Sequence, residues 1–173
     1  TDWETLPLFP DLPPCLPHFQ RDTSAVFDDP FLAELALSTP VQRLQRIGFL
    51  GALDYVRFSN GYQSHRRRHN RFDHSVGVAE LALLYADIRG LRRQDARILA
   101  AAGLLHDVGH GPLSHTLEPV FKSQFDITHH RSGDNIMYGR SPFGAEIIDI
   151  MDAYGIDLDE VAAMIGGRHD GPH

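Results

Sequence analysis

Hydrophobic residues recur at helical spacing through the middle of the chain. A helix is predicted from about Asp73 to Arg89, and Gly90 would end it. Its apolar stripe, with steps mostly of three and four residues, consists of Gly77, Val78, Leu81, Leu84 and Ile88. Continued one turn backwards, this stripe reaches His74, which places an imidazole on the face expected to be buried.

A second long helix is predicted from about Gln94 to Val108. Leu99, Ala102, Gly103 and His106 share one of its faces. Gly103 lies one turn before Asp107, and Gly77 lies one turn after His74. Because glycine has no side chain, both positions are expected to let the two helices approach closely.

Cap and proline signals predict several shorter helices. Asp29-Pro30, Thr39-Pro40 and Ser141-Pro142 each resemble an N-cap followed by proline at the first helical position, with Gly155 ending the last of these helices. The segment from Asp157 to Glu160 resembles a capping box, and its helix would end near Gly166 and Gly167. Thr128 and His129 could cap and begin a further helix.

The rest of the chain shows little sign of strands. An alternating pair is conceivable only around Tyr55–Tyr62, so an all-α class is predicted. Residues 1–27 carry five prolines and are interpreted as an irregular, extended N-terminal arm, while residues 28–173 form one domain.

Composition narrows the class of protein. With 42% hydrophobic and 23% charged residues, the 173-residue chain is typical of a globular domain, and no apolar run is long enough to cross a bilayer. The first residues lack the pattern of a signal peptide, and Cys15 is the one cysteine, so a cytoplasmic location is expected. A net charge of −7 does not favour a nucleic-acid partner. The basic run from His65 to Arg71 leaves that partner open; it could equally be a solvated loop or a strip that faces phosphate.

Three residues at the ends of the two long helices suggest a metal site. His106 and Asp107 follow an apolar run, and a buried aspartate is costly unless a cation or hydrogen-bond donors neutralise it. A divalent ion held by His74, His106 and Asp107 would satisfy all three side chains. Nitrogen and carboxylate ligands suit manganese, iron, zinc, nickel or cobalt rather than calcium, and magnesium stays open.

A second group of titratable residues follows this cluster. Gly109, Gly111 and Pro112 should turn the chain, which takes His110 and His115 away from the ligand helix. Glu118 lies three residues after His115, and His129 follows at the start of another helix. Such groups beside a metal suit phosphate-ester hydrolysis, because a protonated histidine can donate to the leaving oxygen while a carboxylate orients it. Arg71 would bind phosphate oxygens.

Two motifs resemble those of the HD superfamily. They are HNRFDHSVGV at residues 69–78 and LHDVGHGPLSH at residues 105–115, and together they look like the branch that contains deoxynucleoside triphosphate triphosphohydrolases. The stretch TPVQRLQRI at residues 39–47 is similar to a helix that precedes the first motif in that branch. The resemblance covers about residues 28 to 135.

The resemblance implies an HD-domain helical bundle and a metal-dependent phosphohydrolase that acts on nucleotides. It implies catalytic or phosphate-lining roles for His110, His115 and His129, a carboxylate partner for the catalytic histidine at Glu118, and a phosphate contact at Arg71. Proteins of this branch are often oligomers, so the resemblance also allows a homo-oligomer, with the proline-rich arm as a candidate for its contacts.

The chain departs from the family pattern at three places. A later aspartate normally completes the metal site, but no matching run occurs, and Asp170 is a poor match; the expectation is that this ligand lies beyond His173. Phe49 stands where a glutamine reads the deoxyribose, which puts the preference for deoxynucleotides in doubt. His130 replaces a glutamate that often follows the residue matching His129.

Two other functions stay open. A phosphodiesterase acting on cyclic nucleotides or nucleic-acid ends would use the same metal chemistry, and the basic run slightly favours a longer anionic substrate. A non-catalytic module could sense nucleotide without cleaving it.

Overall fold

A computed structural model describes residues 27–48, 70–111 and 117–167. Outside these ranges lie residues 1–26 of the N-terminal arm, the conceivable strand pair at Tyr55–Tyr62, Phe49, His115 and Asp170. The described residues form α-helices and one 3₁₀ helix, Arg43–Arg46. The α-helices are α1 (Pro30–Leu37), α2 (Thr39–Gln42), α3 (Arg71–Ile88), α4 (Arg93–Leu105), α5 (Glu118–Phe125), α6 (His129–Met137), α7 (Glu146–Ala153) and α8 (Leu158–Ile165).

Helices α3 and α4 form the centre of the fold and pack along most of their length. A short connection, Arg89–Arg92, joins them, and Gly90 adopts a positive φ of 62° there. The start of α3 therefore faces the end of α4. A Cβ atom on Gly103 would lie 3.1 Å from the backbone nitrogen of Ala79, so the predicted close approach is confirmed at Gly103. It is wrong at Gly77, where a Cβ would meet nothing within 4 Å.

The predicted apolar stripe of α3 is also wrong. Leu81 and Ile88 are 58% and 64% exposed, whereas the buried residues of the helix are Arg71, Phe72, Ser75, Val76, Ala79 and Ala86. The physical reason is the closeness of α4, because much of the face turned inward is built from small residues. Leu81, Tyr85 and Ile88 are left at the surface although they are larger than the buried alanines, so the pattern of hydrophobic residues predicts the wrong face there.

The cap predictions have mixed outcomes. Asp29 caps α1 by accepting a hydrogen bond from the backbone of Phe31 at 3.0 Å, as predicted. The cap of α2 is Ser38 rather than Thr39, whose backbone nitrogen instead donates to the carboxylate of Glu146. No helix starts at Pro142: a closed turn from Ser141 to Gly144 delays α7 until Glu146.

The last helices follow the sequence signals more closely. Gly155 ends α7 with a φ of 64°, and α8 runs from Leu158 to Ile165 before Gly166 and Gly167. Asp157 caps α8 by accepting from the backbone of Asp159 at 2.8 Å rather than from Glu160. Helix α4 ends at Leu105, three residues earlier than predicted, so His106 to Gly109 form a turn.

The core is apolar and shared by most of the helices. Helices α1 and α8 pack on α4, and α7 packs on α1. The largest fully buried apolar side chains include Phe31, Phe72, Leu104, Leu105 and Met151. Among the described residues the one β feature is an isolated bridge between Gly48 and Asn70, so the all-α prediction is confirmed. None of the described helices has the length and apolar character needed to span a membrane.

Candidate metal centre and active site

The first turn of α3 carries two of the predicted site residues. Asn70 caps this helix by accepting a hydrogen bond from the backbone of Asp73 at 2.8 Å. The cap begins the helix in the register that sends Arg71 and His74 toward α4. Arg71 is buried, and the His74 side chain is 40% exposed, so His74 lies at the rim of the helix interface rather than on its buried face.

The end of α4 carries the other two predicted ligands. His106 is the C-cap residue, and its Nδ1 lies 2.7 Å from the carbonyl oxygen of Gly103. An N–H at Nδ1 would donate to that carbonyl, which leaves Nε2 free as a metal ligand. Asp107 follows in the turn and is only 5% exposed.

The three predicted ligands converge. The Nε2 atom of His74 lies 3.6 Å from one carboxylate oxygen of Asp107, and the Nε2 atom of His106 lies 3.4 Å from the other. The imidazole rings of His74 and His106 meet edge to face, with centroids 5.2 Å apart. One ligand atom from each residue falls within 4.8 Å of the other two.

The Asp107 carboxylate supplies the negative charge of the cluster. Burial alone would raise its pKa, but the hydrogen bond from His110 and the nearby charges of His106 and Arg71 hold the pKa well below its usual range. Arg71 Nη1 donates to it at 2.6 Å, and His110 Nε2 lies 3.3 Å from its other oxygen. The carboxylate is therefore ionised at neutral pH, as a metal ligand must be.

The donor set fits a divalent metal. Atoms that share an ion at about 2.1 Å lie about 3.0–3.4 Å apart. The 3.4 and 3.6 Å separations from Asp107 are near that range, and the three ligand atoms, within 4.8 Å of one another, would draw together around an ion. Burial, with support from the neighbouring His106, Arg71 and His110, lowers the pKa of His74 despite the opposing charge of Asp107, which favours the neutral imidazole that binds metals. Two imidazole nitrogens and one carboxylate oxygen match the ligand type predicted from the sequence.

A second pair lies where α5 meets α6. Thr128 caps α6 by accepting from the backbone of Arg131, as predicted, and this cap places His129 at the first residue of the helix. The Nδ1 atom of His129 is hydrogen-bonded to the carboxylate of Glu118, the first residue of α5. Burial lowers the pKa of His129, with His110 and His130 acting in the same direction, while the bond to Glu118 opposes the shift.

His110 connects the two groups. Its side chain is 2% exposed, contacts Asp107, and stacks on the ring of His129 with centroids 4.3 Å apart and planes 9° from parallel. Gly109 makes this stacking possible: a Cβ there would lie 1.9 Å from the carbonyl oxygen of His129 and 2.4 Å from the nitrogen of Gly133. Only glycine allows the backbone of α6 to come so close.

A cavity of about 160 Å³ borders this second pair. His110, Glu118 and His129 line it together with Phe121 and Ile127. Its volume would hold a few water molecules beside the imidazole of His129.

The structure thus brings together seven of the eight predicted site residues, and the eighth, His115, lies outside the described ranges. The seven are Arg71, His74, His106, Asp107, His110, Glu118 and His129. His130 is exposed, and its ring contacts that of His129 at a centroid distance of 4.0 Å.

Sequence reasoning missed Arg43, whose guanidinium donates to the carbonyl oxygen of Val108 at 2.6 Å. No local pattern announces that contact, since 65 residues separate the two.

Comparison with known proteins identifies related chains. A model of the HD domain family matches residues 71–173. The human protein named "Deoxynucleoside triphosphate triphosphohydrolase SAMHD1" is 29% identical over 164 residues, which covers 87% of this chain and 26% of that protein. The chicken (Gallus gallus) protein of the same name is 30% identical over 171 residues, with 87% and 26% covered.

A bacterial relative is similar to the same degree. The protein YwfO of Bacillus subtilis, described as uncharacterized, is 32% identical over 140 residues, which covers 78% of this chain and 30% of that protein. The chain therefore spans less than a third of the length of these relatives. These matches confirm the resemblance that the two motifs indicated.

Proposed function

This chain belongs to the HD domain family, and we propose that it is the hydrolytic domain of a metal-dependent phosphohydrolase that acts on nucleotides. Deoxynucleoside triphosphates are the leading substrate class. The observation that carries the proposal is the arrangement of His74, His106 and Asp107 beside the hydrogen-bonded pair of Glu118 and His129. The name of the vertebrate relatives supports the substrate class. The proposal includes a cytoplasmic location.

His74, His106 and Asp107 would hold the metal. A divalent ion in that position polarises phosphate oxygens and lowers the pKa of a water molecule. The chain's own residues prepare the position. The carbonyl oxygen of Gly103 fixes the ring of His106, the surroundings keep His74 neutral, and Arg71 with His110 keeps Asp107 ionised.

His129 would act as the general acid. Its Nδ1 is bound to Glu118, and we assign to its Nε2 the donation of a proton to the leaving oxygen. Stacking against His110 restricts the ring to one plane. A phosphate bound nearby would add negative charge and stabilise the imidazolium, which opposes the lowered pKa of the free site.

Arg71 and His115 complete the proposed phosphate contacts. Arg71 is already engaged with Asp107, so it would place its positive charge at the boundary between the ligand carboxylate and the substrate phosphate. His115, five residues after His110 in the sequence, is assigned to the phosphates by resemblance. In the proposed reaction water cleaves a deoxynucleoside triphosphate into a deoxynucleoside and tripolyphosphate.

The test uses the full-length protein with Mn²⁺ and a panel of deoxynucleotides, ribonucleotides, cyclic nucleotides and short oligonucleotides. Tripolyphosphate as product supports the proposal. A nucleoside monophosphate from a cyclic nucleotide or an oligonucleotide end would replace it with phosphodiesterase activity. Tight binding of nucleotide without turnover would replace it with a sensing role. Hydrolysis that is unchanged in His106→Ala or Asp107→Ala contradicts the assigned metal centre.

A further inference from the structure

The turn that follows α4 leads into His110, and its part from Asp107 to His110 carries both a proposed metal ligand and the histidine that stacks on His129. The orientation of this segment therefore decides the geometry of the metal cluster and of the Glu118–His129 pair. Within the turn the backbone nitrogen of His110 donates to the carbonyl of Asp107 at 3.0 Å, and that of Val108 donates to Leu105 at 2.9 Å. The carbonyl of Val108 points instead to a residue of the 3₁₀ helix. Arg43 Nη2 donates to it at 2.6 Å.

Arg43 occupies an unusual environment for a cation. Its Nε atom is buried with no hydrogen-bond partner among the described residues, and its guanidinium lies 5.8 Å from the centre of the Phe143 ring. Burying a cation costs free energy, and an apolar side chain of similar size would generally serve packing as well or better. The hydrogen bond to Val108 is the feature that an apolar side chain could not reproduce.

Gly109, the residue after Val108, contacts a different element, helix α6. It approaches the backbone of His129 and Gly133 so closely that no side chain fits there. Arg43 and α6 therefore contact adjacent residues of the same turn. The 3₁₀ helix is itself anchored to the start of α3, because the backbone nitrogen of Arg71 donates to the carbonyl of Ile47 at 2.9 Å.

We propose that Arg43 is a positioning residue for the active site. Its hydrogen bond to the carbonyl of Val108 sets the orientation of the turn, and through the turn it sets the placement of Asp107 and His110. The inference rests on the proposed function, because it assigns Arg43 to the same metal centre. It does not make Arg43 a contact of substrate or metal.

Two variants of the full-length protein test the inference. Arg43→Met keeps much of the length of the side chain and removes its donors. Arg97→Met is the matched control. Arg97 is also largely buried, but it pairs with Asp29 and lies over the ring of Phe31, about two helical turns before the end of α4. Each variant is compared with the wild type in Mn²⁺ affinity, measured by electron paramagnetic resonance without substrate, and in kcat and KM.

For Arg43→Met we expect Mn²⁺ affinity to fall about tenfold, as for other residues that orient metal ligands. We expect kcat to fall about 10- to 100-fold, since a misplaced site loses rate, with KM changed less than about threefold. Arg97→Met should lose thermal stability but match the wild type in Mn²⁺ affinity and kcat. An Arg43→Met protein that loses only thermal stability, as the control does, overturns the inference.

Two further outcomes also decide the question. If Arg43→Met does not fold, Arg43→Lys and Arg97→Lys replace the pair: a loss of Mn²⁺ affinity of about threefold or more confined to Arg43→Lys supports the inference, and equal affinities overturn it. If the wild type binds Mn²⁺ but hydrolyses no nucleotide, the proposed function fails, and Mn²⁺ affinity alone judges Arg43. A wild type that binds no Mn²⁺ overturns both.

Discussion

The two halves of the site are built in different ways. The metal cluster of His74, His106 and Asp107 lies between the two longest helices of the described chain, at ends that face each other because α3 and α4 pack closely. The Glu118–His129 pair lies between two short helices, and α5 has no buried residue at all. Extensive packing holds the metal cluster, whereas a few local contacts hold the pair.

This difference indicates how each half should respond to change. The metal cluster is expected to be sensitive to its own ligands and to Arg43, the proposed positioning residue, but tolerant of changes elsewhere around α3, because many contacts hold α3 against α4. The Glu118–His129 pair depends on single features, namely the cap at Thr128, the backbone approach at Gly109 and the stack on His110. Small changes at those points should therefore lower kcat.

The largest effect is expected for Asp107→Asn, which removes the negative charge from the metal cluster. The amide keeps the shape of the side chain and removes the charge, so Mn²⁺ affinity should fall at least about 100-fold and kcat at least about 10³-fold. Because buried Arg71 faces this carboxylate, the metal-free protein should lose about 3–5 kcal/mol of stability. Metal titration and denaturant unfolding measure the two effects. Wild-type Mn²⁺ affinity would contradict the assigned ligand.

Gly109→Ala should have the next largest effect, mainly on the Glu118–His129 pair. Its methyl group would clash with the backbone of His129, so α6 must shift, and kcat should fall about 100-fold. Gly133→Ala is the matched control on the other side of the same contact, where a Cβ lies at an ordinary 3.7 Å. Steady-state kinetics compares them. Equal kcat values in the two variants would mean that the approach at Gly109 does not position His129.

Glu118→Gln should produce a moderate effect with a defined pH signature. Glu118 raises the pKa of His129 by stabilising its imidazolium, so the amide should lower that pKa further. The protonated acid then disappears at a lower pH, and the alkaline limb of kcat/KM should move to lower pH while kcat falls about tenfold. Asp126→Asn, which breaks an exposed pair with Arg131 at the other end of α5, should leave the limb in place. An unmoved limb in Glu118→Gln would remove Glu118 from its assigned role.

The smallest effects are expected from substitutions at the caps of α3 and α6, one in each half of the site. Thr128→Ala and Asn70→Ala should each cost about 1 kcal/mol of stability in denaturant unfolding. Thr128→Ala should also lower kcat about threefold, because the first turn of α6 carries His129. Asn70→Ala should leave Mn²⁺ affinity within about twofold of the wild type, since α4 holds α3 in place. Equal kinetic losses in both variants would erase the distinction between the two halves.

The convergence of His74, His106 and Asp107 could be predicted, because these residues lie in short sequence motifs. His106 and Asp107 after an apolar run, and His74 one helix earlier, predict a shared cation without any knowledge of packing. Glu118 and His129 were less determined, since spacing allowed their meeting without requiring it. Arg43 lies in the stretch TPVQRLQRI that resembles the family, but its contact could not be predicted, because a hydrogen bond to a backbone carbonyl 65 residues away leaves no local pattern.

Local sequence was enough to predict the helical class, the types of ligand atom at the candidate metal site and the caps at Asp29, Thr128 and Asp157, because each of these depends mainly on residues within about one helical turn. The packing of the helices fixes which face of α3 is buried, where α6 contacts the turn at Gly109, and which carbonyl Arg43 binds. The first two of these outcomes depend on backbones that approach through small residues, and the third depends on a contact between residues far apart in the chain. Close approach is a property of two surfaces together, and neither helix carries it in its own pattern of hydrophobic positions.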